Sequence, residues 1–152
     1  MDKPSHLVEI EHMILGRHQF GGDNRRRQED RLERSTYIIL SRVRAQGPMS
    51  IGQLSDAFRL DASTLNRQTA GAVKAGLLDR IPDPEGGMAR KFRLTSEGER
   101  RLDVEREAHV SGLDKVFEDW PAKDVEIFAR YLQRFNTSIE RLSGRPWPRS
   151  DG

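Results

Sequence analysis

Two short amphipathic stretches, "SIGQLSDAF" at 50–58 and "DASTLNRQTAGAVK" at 61–74, are separated by only two residues, Arg59 and Leu60. That spacing constrains the fold more than any other feature of the chain. Two short helices joined by so tight a turn are the sequence form of a helix-turn-helix. Their starts are signalled as well. Ser50 stands three residues before Gln53, a capping-box pattern in which each side chain satisfies a free backbone N–H. Ile51, Leu54, Ala57 and Phe58 form the buried side of the first helix, and Asp61 is placed to cap the second.

The second helix has two unlike faces. At about 100° per residue, Leu65, Thr69, Ala72, Val73 and Gly76 gather on one side. Almost opposite stands Arg67, flanked by Ser63, Thr64, Ala70, Gly71 and Lys74, with Asn66 and Gln68 at the margins. This outward face is narrow and polar, and Ala70 and Gly71 are too small to block close approach. A B-DNA major groove admits one helix, and Arg can pair bidentately with guanine. Ser and Thr hydroxyls can reach phosphates or bases, and a helix N-terminus favours a phosphate. The same pattern would suit an ordinary amphipathic helix with a solvated face, so the neighbouring elements decide. "LLDRI" (77–81) and "RKFRL" (90–94) are strand candidates, the latter with Arg90, Phe92 and Leu94 alternating with Lys91 and Arg93. Between them "PDPEGGMA" marks a turn. Helix, turn, helix and basic hairpin in this order form a winged helix-turn-helix.

Helical stripes flank this segment. Residues 5–20 carry Leu7, Ile10, Met13 and Ile14 on one side, and 31–46 carry Leu32, Tyr37, Ile38, Leu40 and Val43. "TSEGERRL" opens a long helix with Thr95 or Ser96 as its cap, bearing Leu102, His109, Leu113, Val116 and Trp120. After Pro121 a last helix to about 143 shows Val125, Phe128, Leu132, Phe135, Ile139 and Leu142 at helical spacing. The segment "GGDNRRRQED" (21–30) is a charged polar break, and 144–152 is a Pro-rich tail in which Trp147 is expected to pin the tail onto the body of the dimer. Trp120, before a helix-starting Pro, is expected to be a packing anchor.

Hydrophobic residues make up only 35% of 152, a thin core for a monomer, which suggests apolar surface shared with a partner chain. The end stripes (Leu7, Ile10, Ile14, Val125, Phe128, Leu132, Phe135, Ile139) are the candidate dimer contacts. The net charge is only +2, which permits nucleic-acid binding without demanding it. With no Cys, disulfides and Cys-ligated zinc are excluded. His6, His12 and His18 recur every six residues, about 240° apart around a helix, which argues against a local metal clip. No Ser-His-Asp grouping, phosphate loop or HExxH run is present. Neither an enzyme nor a cofactor is expected. No signal-peptide pattern or membrane span is visible, so the cytoplasm is the expected compartment.

The pieces "GPMSIGQL", "LDASTLNR", "GLLDRIPDP" and "LTSEG" together resemble the winged-helix core of MarR-type transcriptional regulators, and the flanking helices extend the resemblance over nearly the whole chain. The resemblance implies a homodimer whose first and last helices interlock, a two-fold symmetric (palindromic) double-stranded DNA site, most often repression, and often a small-molecule effector held between the dimer helices and the winged lobe. It differs at the wing. The usual Asp-x-Arg pair, whose Arg enters the minor groove, is replaced by Gly86 and Met88, leaving Arg90 and Lys91 as the nearest cations.

The expected fold is therefore mainly α with a small β-hairpin (α+β). Residues 1–152 form a single MarR-like domain: a winged helix-turn-helix lobe at 31–94, a helical dimerisation lobe at 5–20 and 96–143, and the tail at 144–152. The expected DNA contacts are Ser50, Ser63, Thr64, Asn66, Arg67, Gln68, Arg90 and Lys91; the effector site is left open. The competing readings are a winged-helix module that binds another protein and has lost DNA binding, and a DNA-binding metal or pH sensor that uses the His residues across a dimer.

Overall fold

The computed structural model describes residues 2–18 and 31–149; the Arg-rich break at 21–30, residues 19–20 of the expected first helix and 150–152 of the tail lie outside the described residues. Among the described residues the chain forms α1 (Ser5–Leu15), α2 (Arg34–Gln46), α3 (Ile51–Phe58), α4 (Ala62–Lys74), β1 (Leu78–Ile81), β2 (Lys91–Leu94), α5 (Ser96–Val116) and α6 (Ala122–Ser143). It is mainly helical with one small antiparallel hairpin, as the sequence predicts.

The boundaries differ from the sequence expectation for local reasons. α1 stops at Leu15, because the chain tightens at Gly16: Arg17 N–H donates to Ile14 O and His18 N–H to Leu15 O, bonds of three-residue reach rather than four. α2 starts at Arg34 rather than Arg31. Glu33 is extended (ψ 149°), and the Leu32 N–H donates instead to the Glu105 carboxylate at 3.3 Å, 73 residues along the chain. The strands begin at Leu78 and Lys91, one residue later than expected at each.

One core holds α2 to α5 together. Ile39, Leu40 and Val43 of α2, Leu54 of α3, Leu65 and Ala72 of α4, Leu77, Leu78, Phe92 and Leu102 are buried with Met49 between α2 and α3. Ile39, absent from the expected stripe, is buried, while Ile38 is only half-buried. Met49 was invisible as a sheet residue. It exchanges both backbone bonds with Phe92 (N–H to O 3.2 Å, and 2.7 Å in return), adding a third edge to the hairpin. β1 and β2 pair Leu78 with Leu94 and Ile81 with Lys91, so Phe92 points inward and Arg93 outward. Glu105 is buried too, 3% exposed, beside His109, whose ring lies 4.6 Å from that of Tyr37. α1 and α6 bury no residue at all.

The hairpin closes onto α5 at a single corner. The Thr95 hydroxyl accepts from the Gly98 N–H at 2.9 Å, the N-cap role expected for it, and donates to the Gly76 carbonyl at 2.7 Å. The Cα of Gly98 lies against the Leu77 carbonyl, leaving no space for a side chain. Gly98→Ala should therefore destabilise the fold by about 1–3 kcal/mol through overpacking against backbone that cannot yield. Gly71, in open space on α4, should gain about 0.5–1 kcal/mol from the same change, as helical Gly→Ala does. Urea unfolding of the two variants checks both signs.

Candidate nucleic-acid interface

The corner between α3 and α4 positions the candidate reading helix. The Ser50 capping box is complete: its N–H donates to Gln53 Oε1 at 2.9 Å and its Oγ accepts from the Gln53 N–H at 3.2 Å. At the far end Arg59 takes the left-handed conformation (φ 54°) that a non-Gly residue adopts at a cost of about 1–2 kcal/mol. The turn is closed by the Ser55 hydroxyl donating to the Leu60 carbonyl. Asp61 occupies the N-cap of α4, but its side chain makes no capping bond, contrary to the expectation from sequence. The first N–H groups of α4 are thus left without that partner.

Leu65, Thr69 and Ala72 are buried, and the Thr69 hydroxyl donates to the Leu65 carbonyl at 2.7 Å, which lets a polar residue sit in the core. Val73 is half-buried. Gly76 does not belong to this face: it is exposed, at φ 78°, in the turn that ends the helix. Ser63, Asn66, Arg67, Ala70, Gly71 and Lys74 are exposed, with Thr64 and Gln68 half-buried at the edges. Asn66 is therefore more open than its expected marginal place. Among the described residues no ion pair or hydrogen bond occupies the Arg67 guanidinium, so it is available for an external acceptor.

The wing is organised around a carboxylate. Asp83 Oδ1 accepts from the Glu85 N–H at 2.9 Å and lies 3.4 Å from the Lys91 ammonium. The Glu85 bond first, then Lys91 and the Gly87 N–H, hold its carboxyl below the ordinary range. Lys91 is therefore half-buried and internally paired rather than projecting freely. Arg90 falls outside β2 and is exposed, not laid along the strand face with Phe92 and Leu94 as the alternation implied. Met88 stands fully exposed at the tip. Arg80, not among the expected contacts, lies with its guanidinium 5.6 Å from the Phe92 ring centre, while Arg93 faces Asp79 across the strands at 3.8 Å.

A second concavity lies between α2 and α6. The cleft of about 940 Å³ is lined by Tyr37, Arg44, Arg106, Leu132, Asn136 and Arg149, among others. Its residues come from three helices and the tail, a grouping that no local pattern announces. Among the described residues no three His, Cys, Asp or Glu side chains stand together as metal ligands, and no helix is long and apolar enough to cross a membrane.

A sequence model of the MarR family matches residues 32–87, the segment from the start of α2 to the wing tip. The chain is 30% identical over 136 residues to YxaD, an uncharacterized HTH-type transcriptional regulator of Bacillus subtilis, covering 90% of this chain and 95% of that protein. A crystal structure of MarR superposes with a TM-score of 0.76 at 22% identity, covering 95% of this chain and 97% of that one. The PcaV transcriptional regulator of Streptomyces coelicolor, solved in complex with its natural ligand, superposes with a TM-score of 0.63 at 20% identity, covering 92% and 98%.

The Asp83 hub yields a direct test. A side chain at Gly87 would collide with the Asp83 carboxylate. Gly87→Ala and Asp83→Ala should each speed amide exchange at Glu85 and Gly87 while leaving Phe92, bonded to Met49, protected. Uniform exchange across the hairpin in either variant would mean that Asp83 does not organise the tip.

Proposed function

The chain belongs to the MarR family, and on that premise we propose that it is a sequence-specific, DNA-binding transcriptional regulator acting as a homodimer on a palindromic operator. The observation that carries the reading is the face of α4: a free Arg67 amid Ser63, Asn66 and Lys74, held outward by buried Leu65, Thr69 and Ala72. On this reading Arg67 takes a guanine in the major groove. Asn66 and Gln68 reach neighbouring base edges, and Ser50, Ser63 and Thr64 position the phosphate backbone. Arg90 is the principal wing contact, and Lys91 supports it by holding the tip through Asp83. The relatives are transcriptional regulators, and the reading assigns no catalytic residue, cofactor or metal to the chain. Its place of action is the cytoplasm.

The dimer rests on exposed apolar surface. Leu7, Ile10 and Ile14 of α1 are exposed, as are Phe128, Leu132, Phe135 and Ile139 of α6, with Val125 half-buried beside them. Stripes this large mark an interaction site. We assign them to a second copy, so that α1 and α6, with the distal part of α5, form the dimerisation lobe and 31–94 the DNA-binding lobe. The α2–α6 cleft, between the two lobes, is where a small-molecule effector would act, and repression relieved by that effector is the regulatory sense we favour. The tip without its usual cation favours the second reading, a winged helix that docks a protein.

Arg67→Ala should cost about 1–3 kcal/mol on the selected site and relax preference at one base position per half-site. Equal losses on selected and random duplex would refute base reading by Arg67. A steep fall of affinity with salt marks DNA binding through phosphate contacts, whereas the protein-docking alternative shows almost none. Phe135→Asp would bury an unpaired charge in the dimer seam. In sedimentation it should convert a dimer into a 17.4 kDa species, and a dimer of unchanged stability would contradict the assigned seam.

A further inference from the structure

After α6, residues 144–149 fold back onto the molecule. Gly144, left-handed at φ 69°, ends the helix and reverses the backbone. The Arg145 guanidinium then donates to the Asp56 carbonyl of α3 at 2.7 Å and stands 3.6 Å from the Asp56 carboxylate. The Trp147 indole stacks on Phe58 of α3, with ring centres 6.2 Å apart and planes 29° from parallel, and the guanidinium of Arg42 of α2 lies 5.0 Å from its ring centre. Glu140, in the last turns of α6, accepts from the Trp147 N–H at 2.5 Å and from both arms of Arg149 at 2.9 and 2.6 Å. Arg149 and the Trp147 N–H hold the Glu140 carboxyl below its ordinary range, so the pair is ionised at neutral pH. A bidentate Arg–carboxylate pair fixes direction as well as distance.

These contacts matter because α6 has little else to hold it to the winged segment. It buries no residue. At its start, Phe117, Trp120 and Phe128 pack edge to face at the corner around Pro121, with centres 5.0 to 6.0 Å apart. At its end the only ties to α2 and α3 among the interactions just described are those of Arg145 and Trp147. Between these ends α6 faces the open cleft. A helix of 22 residues is about 33 Å long, so a rotation of about 6° at the corner moves its far end by about 3.4 Å, one base-pair rise.

We propose that residues 144–149 form a clasp that fixes the angle between α6 and the helix-turn-helix, with Trp147 and Arg149 as positioning residues for α4. The inference rests on the reading of the chain as a dimeric DNA binder. In that dimer α6 belongs to the seam and α3 carries α4, so the clasp sets the separation of the two reading helices, about 34 Å for successive major grooves.

The test is selection from a library of randomised duplex DNA by the full chain, scoring both the half-site sequence and the spacing of paired half-sites. The wild type is expected to enrich paired half-sites at one spacing, preferred on the order of tenfold over spacings one base pair longer or shorter. Trp147→Ala and Arg149→Gln should enrich the same half-site, with the spacing preference falling to about twofold. Trp147→Phe, which keeps the stack on Phe58, should restore it. Should Trp147→Ala not fold, Arg149→Gln, which removes the bidentate pair and the longer bond to the Trp147 carbonyl but keeps the stack on Phe58, decides alone. An unchanged spacing preference in the folded variants overturns the clasp. Loss of the half-site sequence itself in those variants would mean general damage rather than positioning, and overturns it equally. If the wild type enriches no sequence, the DNA reading fails and takes the clasp's role with it.

Discussion

The bare Cα of Gly98 is the contact on which the winged segment closes. The Leu77 carbonyl occupies the space a side chain would need, and it accepts the Thr95 N–H at 3.1 Å. The Thr95 hydroxyl ties the Gly76 carbonyl to the first turn of α5. The exit of α4, both ends of the hairpin and the start of α5 therefore converge on one hydrogen-bonded corner. A two-stranded hairpin is marginal by itself. Here the Met49 bridge braces one edge, Phe92 anchors the strand in the core, and the corner holds its ends together. The outward aim of Arg67 is thus set from behind, by what Leu65, Thr69 and Ala72 pack against.

What was legible in the sequence is what local periodicity and capping chemistry decide. The Ser50–Gln53 box, the Thr95 cap and the inward trio of α4 follow from neighbours within four residues, the hairpin from two apolar runs either side of a Pro- and Gly-rich turn, and the structure contains them. Thr69 shows how a polar residue can still belong to the core, by donating within its own helix. What escaped depends on partners far along the chain. Glu105 capturing the Leu32 N–H, Met49 joining Phe92, and the contacts of Arg145 and Trp147 with α3 have sequence separations that no window spans. The wing failed for a different reason. Alternation of Arg90, Phe92 and Leu94 suggested one strand face, but the turn centred on Asp83 takes Arg90 out of the strand and engages Lys91. That Trp147 pins the tail to the body was legible; which groups receive it was not.

Net charge was a weak guide because pairing, not composition, decides which cations are available. Arg44 faces Asp103, Lys91 faces Asp83, Arg93 faces Asp79 and Arg149 faces Glu140. Arg67 on α4 and Arg90 at the base of the wing have no such partner among the described residues. A chain of charge +2 can therefore present unneutralised cations while several of its other charges compensate one another. The field an external polyanion meets near α4 is set by these free groups.

The core and the apolar stripes lie in different parts of the chain, and this separation has a mechanical consequence. Among the described residues every buried hydrophobic residue falls between Ile39 and Leu102, whereas α1 and α6 leave most of their apolar faces exposed. A helix gains most of its stability from packing such a face rather than from its own propensity. On the proposed dimer, the free energy that joins two chains is then also what orders α6, and the interactions described above join it to the rest of the chain at the Pro121 corner and at the tail. A ligand in the α2–α6 cleft would touch both parts at once, Tyr37 and Arg44 on one side, Leu132 and Asn136 on the other. It can change DNA affinity only to the extent that it binds one relative position of those parts better than another. By the same linkage DNA must change the ligand's affinity by the same factor. The tail lines that cleft through Trp147 and Arg149, so any ligand contacting them shares its groups with the contacts that hold α6 in place.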